Sequence, residues 1–151
     1  MIALFVQVGA ACQTEAYIKG ETRDCFAGRQ IRPPGIDIFL IDPAKYPSIS
    51  KILERMDRQS AQGDRGLRSF WDSYSQLVHE MKKAKALARV VAAKDGTFAF
   101  DQLHVGQKVI ILGLAEREDD PAYYALERLT LRQGVNSVTL DFYGGHSCGA
   151  G

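Results

Sequence analysis

The spacing of apolar residues changes twice along the chain, from a period of two to a helical period and back. In the first part, Ile36, Ile38 and Leu40 fall on one face of a predicted strand. Phe39 and Ile41 fall on the opposite face, with Asp37 beside them. Because apolar residues occupy both faces, we predict that this strand is covered on both sides.

Between residues 43 and 83 the apolar period becomes helical. The first stripe consists of Ile49, Ile52, Leu53 and Met56. The second consists of Leu67, Phe70, Trp71, Tyr74, Leu77, Val78 and Met81. The polar, glycine-bearing residues 60–66 predict the turn between two amphipathic helices. Each stripe must pack on a partner surface, which is the other helix, the β layers or another molecule.

Strand patterns return after the helices. Asp95-Gly96 is typical of a tight hairpin turn, and a continuous apolar run from Val109 to Leu114 predicts a central strand. Together with the earlier strands, these patterns predict about seven strands, at residues 17–22, 36–41, 88–92, 97–100, 109–114, 123–131 and 138–142. Short strands with regular turn signals are typical of a β-sandwich. The helical segment interrupts this sandwich between its second and third strands.

Several turn and strand residues also form a recognisable motif series. It consists of Gly20, Asp24, Pro34-Gly35, Gly96, Phe98, Phe100, Leu103, Gly106 and the stretch 131–140. In this order the residues resemble the carboxypeptidase regulatory-like family, over residues 17–42 and 88–142. The resemblance implies a mainly β fold, a seven-stranded antiparallel sandwich of the transthyretin-like (prealbumin-like, Ig-like) type. The chain departs from the family at Thr22, where an apolar residue is usual, and in the long helical insertion.

Composition limits the partners. The net charge of +1, from 19 basic and 18 acidic residues, gives no general attraction for nucleic acid or anionic lipid. The basic residues Lys82, Lys83 and Lys85 lack interleaved aromatic residues, which favours a solvated helix face. No apolar run is long enough to span a membrane as a helix. A protein or carbohydrate partner is the remaining expectation.

Residues 1–15 are either the remnant of an export signal or an extra N-terminal strand. An apolar run from Ile2 to Val8 precedes small residues, as before a signal cleavage site, although no basic residue precedes the run. Export would place the protein in the periplasm, outside the cell or at its surface; otherwise the protein is cytoplasmic. The Ala-Ala-Cys triplet ending at Cys12 resembles a bacterial lipoprotein signal, so Cys12 is a candidate for lipidation.

The chain has three cysteines, an odd number. In an oxidising compartment we expect one bridge, Cys25–Cys148, and one cysteine left over. We predict a main domain at residues 16–143, with its helical insertion at 43–83, and a flexible glycine-rich tail at 144–151.

No motif predicts catalysis, a bound metal or a cofactor. The three histidines do not lie at metal-ligand spacing, and no phosphate loop or nucleophile elbow occurs. Hydroxyisourate hydrolase has a similar fold, but its terminal motif is absent here. Lys19, Glu127 and Asn136 are the one trio that could form an intramolecular isopeptide bond, yet Asn136 falls in a predicted turn.

The aromatic residues Phe70, Trp71 and Tyr74 on the second helix either pack into the core or form a surface for a partner or ligand. The sequence therefore predicts a non-catalytic binding or structural module that is exported. One alternative is a partner-binding protein whose interface is the helical hairpin and which need not be exported. An enzyme is a third alternative, which no motif supports.

Overall fold

The computed structural model describes residues 15–26, 29–115 and 123–142. Within these residues it has eight β-strands, two α-helices and one 3-10 turn. The strands are β1 Glu15–Phe26, β2 Arg29–Ile31, β3 Asp37–Ile41, β4 Ala88–Val91, β5 Thr97–His104, β6 Lys108–Ala115, β7 Tyr123–Thr130 and β8 Gly134–Asp141. The helices are α1 Pro47–Ser60 and α2 Leu67–Lys83, joined through the 3-10 turn Gly63–Gly66.

The strands form two four-stranded sheets. Sheet 2 has the order β4-β3-β6-β7 and is antiparallel throughout. In sheet 1, β1 pairs antiparallel with β5 and with the short β2, and parallel with β8. The predicted fully antiparallel order is therefore wrong for β1 and β8. No hairpin joins these two strands, and only a direct hairpin would force them to run in opposite directions.

The first core lies between the two sheets. Ile38 and Ile111 from sheet 2 are fully buried, and Phe98 and Phe100 from β5 are each 6% exposed. The Phe98 ring packs against the backbone of Gly20 on β1, where a Cβ atom would lie 2.1 Å from Phe98 Cζ. Glycine is therefore required at position 20 for the sheet to admit this ring.

A second core lies between the outer face of sheet 2 and the helices. It consists of Ile41, Ile49, Ile52, Leu53, Met56, Leu77, Ile110 and Leu112. The chain thus has three layers, sheet 1, sheet 2 and the helical pair. This arrangement confirms that β3 is covered on both faces, and it explains the unbroken apolar run in β6. Buried residues of both helices pack on the protein's own sheet.

The first strand is longer than the predicted residues 17–22. β1 continues to Phe26, and β2 follows where no strand was predicted, so the described residues hold eight strands instead of seven. The sequence hid this extension because Asp24, a buried residue within it, has a polar side chain. Thr22 is buried and its hydroxyl donates to the Pro33 carbonyl at 2.7 Å, while the buried carboxylate of Asp24 accepts from the Cys25 amide at 2.7 Å.

Asn136 lies inside β8 and not in a turn. Its amide group closes the preceding turn, because Oδ1 accepts from the Arg132 backbone N–H and Nδ2 donates to the Arg132 carbonyl, both at 2.9 Å. Asn136 therefore does stabilise a turn, as asparagine often does. Its side chain does so from the third position of β8, after the turn itself.

Candidate functional site

The helical layer covers sheet 2 unevenly. Ile41, Ile110 and Leu112 are buried beneath it. On the same outer face, Phe39 is only half-buried, and Val91, opposite Asp37 on the edge strand β4, is 55% exposed. An open groove therefore remains beside the C-terminal half of α2, over the start of β3 and the end of β6.

We call this depression the α2 groove. It has a volume of ≈ 580 Å³. Its lining residues are Gly35, Asp37, Phe39, Tyr74, Val78, Met81, Lys82, Leu114 and Ala115. The four residues from α2 fall at i, i+4, i+7 and i+8, so they form one wall. The groove is mainly apolar, with a small number of polar groups, which is the usual composition of a ligand site.

An aromatic cluster adjoins the groove at Tyr74. Its members are Phe70, Trp71 and Tyr74 of α2 and Tyr124 of β7. The Trp71 ring meets Phe70 and Tyr74 edge-on, with centroids 5.9 and 6.1 Å away and interplanar angles of 83° and 84°. Tyr124 lies 6.0 Å from Phe70 and 6.4 Å from Tyr74, which ties the cluster to sheet 2.

The three predicted aromatic residues therefore have different roles. Phe70 and Tyr74 are half-buried and pack against the sheet, while Trp71 keeps 36% of its surface exposed. The structure brings all three together and adds Tyr124. No sequence pattern links Tyr124 to these residues, because its contact depends on how α2 crosses β7.

One ion pair and one further cation lie at the groove. Arg89 binds Asp37 through both Nη2, at 2.6 Å, and Nε, at 3.0 Å, and its guanidinium lies 6.0 Å from the centroid of the Phe39 ring. Lys82 is exposed and forms no ion pair with any residue in the described ranges. The charges of Asp37 and Arg89 cancel, so Lys82 gives the groove a net positive charge.

The hydroxyl of Tyr124 sits in a poorly hydrated position. Burial raises its pKa to about 12, and the nearby carboxylate of Asp57 adds to the increase, while Arg128 opposes it. Arg128 and Asp57 form an ion pair at 2.7 Å between β7 and α1. The Tyr124 hydroxyl is therefore protonated at neutral pH and serves as a neutral polar group beside the cluster.

The isopeptide trio is not assembled. Lys19 is exposed on β1 of sheet 1, whereas Glu127 is exposed on β7 of sheet 2. The Asn136 amide donates to the backbone carbonyls of Tyr17 and Gly134, both at 3.2 Å, as well as to that of Arg132. This amide is therefore occupied by backbone groups.

Cys25 is disulfide-bonded. Cys12 and Cys148 both lie outside the described residues, as do residues 1–14 of the proposed signal remnant and the glycine-rich tail. The pairing Cys25–Cys148 and the lipidation of Cys12 therefore stay predictions. Over residues 15–26, 29–115 and 123–142, no three His, Cys, Asp or Glu side chains are grouped as a metal site would require. In the same residues, neither helix has the length and apolar character needed to cross a membrane.

Sequence reasoning missed several residues of the groove. For Asp37 and Phe39, the alternation along β3 correctly predicted the face of the strand, which is the one opposite the first core. It did not predict that this face would line a groove. No sequence pattern predicted the role of Arg89, because its contact with Asp37 depends on the pairing of β3 with β4, in which Arg89 lies opposite Phe39. Lys82 was predicted to be solvated, and it is exposed, but its position on the groove wall follows from the docking of α2.

The chain matches no family model and no curated protein. Among solved structures, it is similar to a candidate carbohydrate-binding protein from Pseudomonas aeruginosa, with 14% identity, a TM-score of 0.48, and coverage of 87% of this chain and 92% of the other. It is also similar to a pilus backbone protein from Streptococcus pneumoniae, with 7% identity, a TM-score of 0.39, and coverage of 84% and 41%.

These similarities are too low to carry an argument about function, and they do not extend to the carboxypeptidase regulatory-like family. The resemblance to that family therefore stays a prediction. The structure shows a mainly β chain, with eight described strands in two sheets and a pair of helices. The aromatic cluster and the α2 groove are the surface features that bear on its function.

Proposed function

We propose that this protein is a non-catalytic binding module that binds carbohydrate at the aromatic cluster and the adjoining α2 groove. The observation that carries the proposal is the exposed ring of Trp71, held edge-on by Phe70 and Tyr74 at the end of an open groove. Sugar rings have apolar C–H faces and polar edges. An exposed indole next to hydroxyl and charged groups complements both.

The rigidity of the cluster supports this proposal. Phe70 and Tyr74 contact Tyr124 on the sheet, so the rings that support Trp71 are fixed by both layers. A ring that is already ordered loses little conformational entropy when a ligand binds. Lone flexible aromatic residues on a helix surface lack this advantage.

The alternative of a helical hairpin interface has less support. Ile49, Leu53 and Met56 of α1 and Leu77 of α2 are buried against sheet 2. These residues are therefore not available for another protein. Among the hairpin residues whose burial the structure describes, Trp71 is the exposed large apolar side chain. One such side chain is a small area for a stable protein interface.

Export is part of the proposal. The disulfide bond of Cys25 supports it, because such bonds persist mainly in oxidising compartments. The protein would then act in the periplasm, outside the cell or at the cell surface, where glycans are common ligands.

Trp71 provides a direct test because it is the one tryptophan in the chain. A panel of neutral and acidic oligosaccharides is titrated against the intact protein, with tryptophan emission and calorimetry as readouts. We expect a ligand to change the emission, and Trp71→Ala to abolish the heat of binding while the far-UV circular dichroism is unchanged. Val135→Ala, at a 57% exposed position on β8, is the matched control and should bind normally. Absence of binding across the whole panel would refute the proposal.

A further inference from the structure

The α2 groove also indicates which class of carbohydrate would bind. We propose that the ligand is an acidic oligosaccharide that lies along α2, with one sugar on Trp71 and an anionic group at Lys82. This inference rests on the proposed function, since it assumes that carbohydrate binds at the aromatic cluster.

The length of the surface supports an oligosaccharide. Trp71, Ser75, Val78 and Lys82 fall at i, i+4, i+7 and i+11 on α2 and therefore form one stripe along the helix. At a rise of 1.5 Å per residue, the backbone positions of Trp71 and Lys82 are about 16 Å apart. A single sugar is too short to contact both ends, whereas a short chain of sugars can.

The chemistry changes along this stripe. Trp71 at one end is aromatic, Val78 in the middle is half-buried and lines the groove, and Lys82 at the other end is charged. Such a surface suits a ligand whose apolar ring faces repeat along its length and which carries negative charge.

The charges around Lys82 do not neutralise it. Asp37, the acidic residue of the groove lining, is bound to Arg89. On α2, Glu80 pairs with the neighbouring Lys83 at 3.3 Å, and Lys85 beyond the helix is exposed and basic. The end of the groove beside the C-terminus of α2 therefore has a net positive charge, and a carboxylate on the ligand complements this charge.

Lysine near the end of a helix has a second role, because it offsets the negative end of the helix dipole. Lys82 and Lys83 are both in the last turn of α2 and share that role. They differ in the groove, since only Lys82 is among its lining residues. Lys83 is therefore a matched control for Lys82.

The test uses the full chain and pairs of oligosaccharides that differ only in charge, such as an oligogalacturonate and its methyl ester. We expect the free acid to bind about 2- to 5-fold more tightly than the ester, as for an exposed ion pair, and added salt to remove the difference. Lys82→Gln should erase the preference of the protein for the free acid over the ester. Lys83→Gln should retain the preference.

The outcomes separate the two proposals. If esters and neutral sugars bind at Trp71 but no acid is preferred over its ester, the acidic ligand is refuted and the proposed function stands. If Lys83→Gln removes the preference as fully as Lys82→Gln does, the assignment to Lys82 is refuted. If no sugar of the panel binds, the proposed function fails, and this inference fails with it.

Discussion

The phenolic hydroxyl of Tyr123 donates a hydrogen bond to the buried carboxylate of Asp24. Tyr123 begins β7 of sheet 2, and Asp24 lies near the end of β1 in sheet 1. The Tyr123 ring also stacks on Phe142, with centroids 4.5 Å apart. A polar contact thus joins the two sheets at the edge of the core between them.

Removing this hydroxyl should destabilise the fold. Tyr123→Phe keeps the ring but takes a donor from a buried carboxylate, which we expect to lower the free energy of unfolding by about 1–3 kcal/mol. Urea denaturation measures the change. Tyr17→Phe is the control, because Tyr17 donates to Glu15 in an exposed pair, and its removal should cost almost nothing. Equal losses in the two variants would contradict a special role for the Tyr123–Asp24 contact.

Tyr124 should make stability depend on alkaline pH. Its folded-state pKa of about 12 lies above the ordinary value of 10.0, so the unfolded chain loses this proton first. The corresponding stabilisation is complete below pH 10 and is lost as the pH rises towards 12. Spectroscopic titration of the tyrosines should show a late phase that disappears in Tyr124→Phe. If the variant keeps that phase, the high pKa does not belong to Tyr124.

The Asp37–Arg89 pair should control the charge of the α2 groove without much effect on stability. Both side chains are more than one third exposed, at 35% and 55%, so breaking the pair should cost less than about 1 kcal/mol. Asp37→Asn should strengthen binding of an acidic sugar, and Arg89→Gln should weaken it, because each changes the net charge in an opposite direction. Calorimetry with the acidic oligosaccharide measures both. Shifts in the same direction would argue against an electrostatic contribution from this pair.

The helices and the first core could be predicted from the sequence. The stripes from Ile49 to Met56 and from Leu67 to Met81 have a clear helical period. The predicted strands also contain the residues that are buried between the sheets, Ile38, Phe98, Phe100 and Ile111. These features depend on local periodicity, which the sequence contains directly.

Other features could not be predicted because they depend on contacts between distant parts of the chain. The end of β1 was missed since Asp24 places a carboxyl group in the core, where the Tyr123 hydroxyl donates to it. A polar residue in a strand pattern normally predicts a solvated position. That it is buried becomes clear only when the structure shows its hydrogen-bond partner from a distant part of the chain.

The candidate site was predicted in part. The aromatic stripe on α2 was visible, but whether it would be buried depended on how much of sheet 2 the helices cover. That coverage decides that Phe39 is half-buried while Ile41 on the same strand is fully buried. The α2 groove is therefore a property of helix docking, which no local pattern of residues contains.

The parallel pairing of β1 with β8 has a consequence for the order of folding. Residues 16–23 at the start of the described chain find their partners at residues 134–141, near its end. Sheet 1 therefore cannot be completed until residues 134–141 have been synthesised, whereas β3, β6 and β7 can associate earlier. Such distant pairing slows folding. In a nascent chain, the edge of β1 that pairs with β8 would stay without a partner strand until β8 has been synthesised.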